Sequence, residues 1–393
     1  MSRLLYQLSY PALRCLRGGG CTNRAPIRNR TVDLLLTMET LCRLSYWGTK
    51  PRKRTREPTE NENGTQSAGF GSNPNTSCMT NTASRKWDTS DLPDLTGRTV
   101  IVTGANSGLG FCTTEALAAH GAKVTMAVRD LEKGEKAATR IRATTPAAQV
   151  ELALLDLSDL ATIRAFAQDW SAANPQGLDL LINNAGIMAI PKRATADGFE
   201  MQIGTNHLGH FALTGLLLPA LVAVPNSRVV TVASQAHRMG RMNFADLMGD
   251  KRYQQWRAYG QSKLANLLFT AQLQRRLDQA HLSILALAAH PGFASTNLQG
   301  VGPSMRGSAI EAKLTSISGN VMSQSAQMGA LPTLFAATAP GLAGNTYIGP
   351  DGFLEMRGYP KIVGRSKAAL DTADAHRLWQ LSEQLTGVSY PFD

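Results

Sequence analysis

The sequence has few cysteines, and almost all of them lie near its beginning. Only five of the 393 residues are cysteine, and Cys112 is the one that lies beyond residue 78. A disulfide framework or a cysteine zinc site is therefore excluded from the rest of the chain. The simplest interpretation is a protein of a reducing compartment, so we expect a cytoplasmic location.

Long hydrophobic runs are also absent. The longest candidate, "LTGLLLPALVAV" at 213–224, is too short to span a bilayer and contains Pro219. We therefore expect a buried helix there and no transmembrane segment.

Acidic residues are fewer than basic ones, which gives a net charge of +11. The imbalance is concentrated at the front, because residues 1–78 contain twelve Lys or Arg and five Asp or Glu. The remaining chain is only mildly basic, so the charge does not predict nucleic-acid binding.

The front of the chain has the composition of a disordered extension. Residues 50–86 are polar and have no apolar period, so we expect disorder over 1–85 and a folded domain at 86–393. Residues 1–30 contain arginine but no acid, as in a mitochondrial presequence, and "KPRKR" matches a nuclear signal. A third hypothesis is that "RNRTVDLLLTMETLCRLSYWGTK" is a translated transfer-RNA gene. Residues 1–78 would then be an incorrect or dispensable addition before a start at Met79, and the intact mass of the native protein would test this.

From residue 98 onward, short apolar runs alternate with segments of helical period. Near-continuous apolar runs are typical of strands that are covered on both faces. The predicted strands are 98–104, 122–128, 149–156, 178–186, 227–234 and 282–292, and the predicted helices include 108–120, 131–143, 159–172 and 256–280. This alternation predicts a single doubly wound α/β domain of the Rossmann type, with a central parallel sheet and helices on both faces.

The first predicted strand ends in the glycine turn "TGANSGLG", residues 103–110, which opens a helix. Gly104 permits a tight turn, Gly108 lets the backbone approach a pyrophosphate, and Gly110 allows close packing of helix on strand. The helix N-terminus also presents free N–H groups to phosphates. A plain tight turn is the alternative, but the position between strand and helix favours a dinucleotide site. Its residues would be Thr103, Gly104, Asn106, Ser107, Gly108, Leu109 and Gly110.

The end of the second strand, "AVRD", bears on the choice of cofactor. An acid about twenty residues beyond the glycines usually holds a free ribose 2′-hydroxyl, but Val128 and then Arg129 stand there. The Arg129 guanidinium can hold a 2′-phosphate, and Asp130 is better placed to cap the next helix. We therefore predict NADP(H) in preference to NAD(H).

Later motifs complete a recognisable set. They are "LDL" around Asp156, "NNAG" at 183–186, Asn206, Ser234, "YGQSK" at 259–263 and "PGFAST" at 291–296. In their order and spacing they resemble the short-chain dehydrogenase/reductase family over residues 95–350. Tyr259 and Lys263 are four residues apart, which places them on one face of a helix.

The resemblance implies a catalytic set made of Asn206, Ser234, Tyr259 and Lys263. Tyr259 would donate a proton to the oxygen of a carbonyl reduced by hydride. Free tyrosine has a pKa of about 10, and Lys263 would lower that pKa while also holding the nicotinamide ribose. Ser234 would orient the carbonyl, and Asn206 would anchor a water of the proton relay.

The resemblance also implies further cofactor contacts. Asp156 and Asn184 would border the adenine side, Thr296 would contact the nicotinamide carboxamide, and Asn183 would be structural. The remaining predicted cofactor residues are Leu157, Ala185, Gly186, Pro291 and Gly292.

Four histidines in the domain raise the question of a metal site. His207, His210, His237 and His290 lie on different predicted elements, without ligand spacing and without clustered acids. We therefore interpret them as structural and expect no metal.

Within the family, three stretches resemble its retinol-dehydrogenase-like members: "MAVRDLEKGEKAA" at 126–138, the long loop after Pro291, and "NTYIGPDG" at 345–352. This implies a hydrophobic carbonyl or alcohol substrate, such as a retinoid, a lipid aldehyde or a ketone. The segment 293–328 is either a mobile lid, through which peripheral membrane contact would occur, or a loosely packed surface loop.

Two rival functions belong to other classes. One is a nucleotide-binding regulatory protein that has lost turnover, although such proteins usually lose the tyrosine, lysine or serine. The other is an adaptor that recruits a partner through the basic front segment. The family also often forms homodimers, through helices that correspond to 198–223 and 256–280.

Overall fold

The computed structural model describes residues 86–294 and 324–392. The predicted extension at 1–85, the start at Met79 and Thr296 lie outside the described residues. The domain division at residue 86 therefore stays a prediction.

Eight strands form one sheet in the order β3-β2-β1-β4-β5-β6-β7-β8. They are β1 (Thr99–Thr103), β2 (Lys123–Val128), β3 (Gln149–Leu154), β4 (Leu180–Asn183), β5 (Arg228–Val232), β6 (Leu285–Ala289), β7 (Tyr347–Pro350) and β8 (Pro360–Ile362). All neighbours pair in parallel except β7 and β8, which are antiparallel. The predicted parallel sheet is confirmed, and its last two strands are additions that the sequence patterns did not predict.

Helices connect the strands on both sides of the sheet. They are α1 (Gly108–Ala119), α2 (Leu131–Thr144), α3 (Leu160–Ala173), α4 (Met201–Ile203), α5 (Gly209–Leu216), α6 (Leu218–Val222), α7 (Gln255–Gln279), α8 (Ala326–Thr338) and α9 (Thr372–Thr386). A single π-helical turn, Gly204–Leu208, joins α4 to α5. The buried helix expected at 213–224 is present as the end of α5 followed by α6, which has Pro219 in its first turn.

The alternation of side chains along β1 explains why both faces of the sheet are covered. Val100 and Val102 belong to the apolar core under α1, α2 and α8, whereas Ile101 belongs to the core under α3, α5 and α7. Successive residues of a strand point to opposite faces, so a fully apolar strand requires helices on both sides. This arrangement leaves the carboxyl ends of the parallel strands as the edge where polar side chains gather.

The last residues of the described chain pack onto α5. Tyr390 donates a hydrogen bond from its hydroxyl to the carbonyl of Phe211 at 2.7 Å. Its ring centroid lies 4.5 Å from that of Trp379 and 4.9 Å from that of Phe211. Aromatic pairs at such distances stabilise beyond the area they bury, so the C-terminal segment is part of the core.

Among the helices of the described residues, none is both long and apolar enough to cross a membrane.

Candidate active site

The glycine turn after β1 is as tight as the sequence predicts. Gly104 and Gly108 have φ of +65° and +54°, backbone angles that residues other than glycine rarely adopt. A Cβ at Gly110 would lie 2.3 Å from the carbonyl oxygen of Gly104, so only glycine permits this approach of α1 to the turn. Ser107 is the N-cap of α1 and makes no side-chain capping bond. The open first turn and the absence of a Cβ at Gly104, Gly108 and Gly110 fit the pyrophosphate of a dinucleotide.

Thr103 joins this turn to the "NNAG" segment after β4. Its hydroxyl oxygen accepts hydrogen bonds from the backbone N–H groups of Asn184 and Ala185, each at 2.9 Å. The Asn184 side chain returns a bond to the Thr103 carbonyl at 2.7 Å. Asn183 is fully buried and donates to Thr214 at 3.0 Å, which agrees with the structural role expected of it.

His210 continues this network towards the catalytic residues. Its Nδ1 lies 3.1 Å from the Asn206 carbonyl and its Nε2 lies 2.9 Å from the Thr103 hydroxyl. Burial lowers the pKa of His210 to about 3, so the ring is neutral. Nδ1 then carries the proton that is donated to Asn206, and Nε2 accepts from Thr103. No group of three or more His, Cys, Asp or Glu among the described residues is placed to hold a metal ion.

The predicted residues for the adenosine end lie at the ends of the next two strands. Arg129 is exposed directly after β2, and Asp130 caps α2 by accepting a hydrogen bond from the backbone N–H of Lys133 at 3.0 Å. The capping role predicted for Asp130 is therefore confirmed. Asp156 follows β3, and its carboxylate accepts bonds from the backbone and hydroxyl of Ser158 at 2.9 and 2.7 Å. Leu157 is buried beside it.

The structure brings the four predicted catalytic side chains together at the same edge of the sheet. Tyr259 and Lys263 lie in the first half of α7, and the Lys263 ammonium is 6.0 Å from the centre of the Tyr259 ring. The Ser234 side chain is close enough to the Tyr259 hydroxyl to lower the Tyr259 pKa. Lys263 donates to the Val232 carbonyl at 3.0 Å, two residues before Ser234.

Asn206 sits in the π-helical turn between α4 and α5, and its side chain is fully bonded. It accepts from the Ile187 N–H at 2.8 Å, and it donates to the Ile187 carbonyl and to the Ser262 hydroxyl, both at 2.9 Å. A Cβ at Gly186 would lie 3.1 Å from Asn206 Oδ1 and 3.4 Å from Lys263 Nζ. The glycine at that position therefore keeps space open between the "NNAG" segment and Lys263. Single π turns occur frequently at functional sites.

The expectation that Lys263 lowers the Tyr259 pKa below that of free tyrosine is wrong for this structure. Burial raises the pKa of Tyr259 to about 12, and only the Ser234 hydrogen bond opposes that rise. Burial also lowers the pKa of Lys263 to about 8. The physical reason is that neither group is solvated, because Tyr259 is 5% exposed and Lys263 is 3% exposed. Burial therefore disfavours the charged form of each group, and neither group offsets the pKa shift of the other.

His237 supports the backbone at Ser234, and the His290–Glu355 pair supports the Pro291–Gly292 turn. The sequence patterns did not predict either contact. His237 Nδ1 lies 2.7 Å from the Ser234 carbonyl, while His237 Nε2 accepts from the Ser366 N–H at 3.2 Å. Because Nε2 is an acceptor, Nδ1 carries the proton and donates to the Ser234 carbonyl, so His237 fixes the backbone at Ser234.

His290 and Glu355 form the second supporting group. The Gly292 N–H donates to His290 Nδ1 at 3.2 Å, so Nε2 carries the proton and donates to the Glu355 carboxylate, also at 3.2 Å. Gln235, the residue after Ser234, donates to the same carboxylate oxygen. Gly292 has φ of +64°, and a Cβ there would lie 2.3 Å from the Met356 carbonyl. Glu355 thus links the serine turn to the predicted cofactor turn, and its distance along the chain explains why no local motif revealed it.

Comparison with known proteins agrees with this geometry. A family model described as short chain dehydrogenase matches residues 98–306. Human retinol dehydrogenase 12 is 41% identical over 296 residues, which cover 75% of this chain and 88% of that protein. Mouse retinol dehydrogenase 14 is 38% identical over 304 residues, which cover 74% of this chain and 86% of that protein.

Solved structures give the same result. An uncharacterized protein from Mycobacterium paratuberculosis is 49% identical, covers 78% of this chain and 100% of its own, and superposes with a TM-score of 0.65. The Pseudomonas aeruginosa RhlG/NADP active-site complex is 26% identical, covers 67% of this chain and 98% of its own, and has a TM-score of 0.52. The protein therefore belongs to the short-chain dehydrogenase family, in its retinol-dehydrogenase-like branch, and is an NAD(P)-dependent oxidoreductase of alcohol and carbonyl groups.

Proposed function

We propose that the protein transfers a hydride between NADP(H) and a hydrophobic carbonyl or alcohol of the retinoid or lipid-aldehyde class. The observation that carries this proposal is the convergence of Ser234, Tyr259 and Lys263 in a chain that is 41% identical to human retinol dehydrogenase 12. All the residues whose loss would mark a nucleotide-binding regulator are present, which favours an enzyme over that rival.

In this mechanism the bound dinucleotide supplies or accepts the hydride. Tyr259 donates the proton that neutralises the developing alkoxide, since its raised pKa keeps it protonated at neutral pH. Ser234 donates a hydrogen bond to the substrate oxygen and holds it beside Tyr259. The Lys263 ammonium supplies positive charge next to the phenol, and Asn206 fixes the helix turn beside them.

NADP(H) is the proposed cofactor because Arg129 is exposed at the end of β2 and makes no side-chain bond within the described part of the chain. The RhlG relative was solved as a complex with NADP. A guanidinium can bind a 2′-phosphate through two parallel hydrogen bonds. We expect Arg129→Ala to raise the KM for NADPH by about tenfold, the loss of one such charged contact, and to leave the KM for NADH unchanged. Arg357→Ala, which removes an exposed arginine elsewhere, is the matched control.

The test of the activity uses the purified full chain with NADPH or NADH and a panel of retinal, aliphatic aldehydes, ketones and steroids. We expect reduction of the hydrophobic aldehydes, and a loss of about 10²- to 10⁴-fold in kcat for Tyr259→Phe, the usual contribution of a positioned proton donor. Full activity of Tyr259→Phe, or no turnover of any carbonyl by the wild type, would contradict the proposal. A cytoplasmic location, a homodimer and a lid at 293–328 stay predictions.

A further inference from the structure

A cavity of about 560 Å³ lies against α7, away from the residues of the active site. One wall is formed by the N-cap of that helix, Gln254, and by Arg257, Ala258 and Gln261, whose spacing of three and four residues defines one helical face. Tyr259 is not among the lining residues, and neither is any residue of the predicted cofactor site. The opposite wall comes from the segment between the serine turn and α7.

The cavity is lined by Arg241, Arg252 and Arg257. None of their side chains forms an ion pair or a hydrogen bond with another residue of 86–294 or 324–392, and all three are exposed. Arginines elsewhere in these ranges are often paired, as Arg98 is with Asp179 at 2.6 Å and Arg142 is with Glu135 at 3.0 Å. Three unpaired guanidinium groups on one cavity are therefore a distinct feature of this surface.

The two acids of the cavity do not neutralise these arginines. The Asp246 carboxylate accepts the backbone N–H groups of Asp250, Lys251 and Arg252 at 2.7, 3.1 and 3.3 Å, so it stabilises its own loop. The Glu200 carboxylate is buried and accepts the N–H groups of Gln202 and Ile203 at 2.9 and 2.8 Å. The charge that faces the cavity is therefore positive.

The start of α7 adds to this positive charge. The helix has 25 residues, Arg257 lies in its first turn, and that turn contains no acid. A helix N-terminus carries partial positive charge, so an arginine there is unfavourable unless an anion lies close by. A bound anion would therefore be stabilised both by Arg257 and by the start of the helix.

We propose that this cavity binds the phosphate group of an organic ligand. Phosphate has several acceptor oxygens and more than one negative charge, so it can bond several guanidinium forks at once. The volume exceeds that needed for inorganic phosphate and lies in the range of organic-ligand sites. Met239 and Leu247 give the cavity an apolar part for the remainder of the ligand. The phosphate belongs either to a soluble phosphorylated metabolite or to a phospholipid head group, and the inference does not depend on the substrate of the active site.

The test uses the full chain saturated with nicotinamide dinucleotide, so that the glycine turn is filled. Glycerol 3-phosphate is titrated calorimetrically into the wild type and into the triple variant Arg241→Ala, Arg252→Ala, Arg257→Ala. The matched control, Arg357→Ala, Lys361→Ala, Lys367→Ala, removes the same charge from another exposed surface. We expect the wild type and the control to bind equally and the triple variant to bind at least about tenfold more weakly.

A vesicle assay separates the two sources of phosphate. The same proteins are floated with vesicles of phosphatidylcholine alone or with added phosphatidic acid. Flotation that needs phosphatidic acid and is lost in the triple variant identifies a head group, whereas binding of glycerol 3-phosphate without flotation identifies a soluble ligand. Equal binding by the triple variant, or equal loss in the control, would overturn the proposal. The proposal would also be overturned if the wild type were a dimer that bound no glycerol 3-phosphate and the triple variant were a monomer. If the triple alanine variant does not fold, a variant with lysine at all three positions replaces it, since lysine keeps the charge. We expect this variant to bind glycerol 3-phosphate more weakly than the wild type, because lysine lacks the forked donors of arginine.

Discussion

Replacing Gly110 by alanine is the most direct test of the nucleotide turn. The new Cβ would lie 2.3 Å from the Gly104 carbonyl oxygen and 2.5 Å from Asn184 Nδ2, distances that real Cβ atoms do not show. Neither neighbour can swing away, because one is backbone and the other donates to the Thr103 carbonyl at 2.7 Å. Helix α1 must therefore move away from the turn.

The magnitude follows from the size of the overlap. Overpacking of this kind costs about 1–3 kcal/mol. At about 2–4 °C per kcal/mol for a domain of 150–250 residues, we expect a Tm several degrees below that of the wild type. The same movement withdraws the helix N-terminus from the phosphates, so the KM for the dinucleotide should rise by about tenfold or more.

Thermal unfolding followed by circular dichroism and the KM for NADPH are the two measurements. Gly364→Ala is the matched control, since a Cβ there would meet nothing within 4 Å. If Gly110→Ala matched both the wild type and this control in Tm and in KM, the close approach described here would be refuted.

The remaining predictions concern ionisable groups. Lys263 has a pKa lowered to about 8. The kcat/KM for reduction should therefore be constant near pH 7 and fall above pH 8, as the ammonium loses its proton. A kcat/KM that stays constant up to pH 9.5 would contradict this. Burial lowers the pKa values of His207, His210 and His237 to about 3, so the unfolded chain binds more protons below pH 6.5. The free energy of unfolding should then decrease by about 1.4 kcal/mol per pH unit for each histidine as the pH falls from 6.5 towards 3, and equal stability at pH 6.5 and 5 would rule it out. Glu355→Ala leaves the donors of His290 and Gln235 without an acceptor, so we expect a loss of about 1–3 kcal/mol of stability and a lower kcat. Glu132→Ala, which removes an exposed carboxylate, is the control. Equal denaturation midpoints for the two variants would exclude the linking role of Glu355.

The strands and helices of the parallel half were predictable because their pattern is local. Each strand from β1 to β6 is an apolar run next to a helical period, and the structure places all six within a few residues of the predicted bounds. β7 and β8 escaped prediction because they are short and contain Pro350 and Pro360, residues that usually indicate the absence of a strand. Proline is tolerable in both strands, because β8 is the edge strand and Pro350 lies beyond the two residues of β7, Tyr347 and Ile348, that pair with β6.

The residues of the candidate site also differ in how far the sequence could predict them. Gly104, Ser234 and Tyr259 belong to local motifs that the sequence displays directly. Glu355 does not, because it reaches His290 from 65 residues away in the chain. The Tyr259 pKa could not be predicted either, since the cost of burying a charge depends on solvent exposure, which spacing along a helix does not reveal.

The aromatic contact of Tyr390 with Phe211 has a practical consequence for anyone who handles the protein. Phe211 follows Asn206 of the π turn by only five residues, so the segment that contains Tyr390 braces the helix next to that asparagine. Deleting residues from Val388 onward would remove that brace, open space beside Gly215 and Trp379, and loosen Asn206 from a distance. Truncation from Val388 onward should therefore impair turnover while leaving Ser234, Tyr259 and Lys263 in the chain.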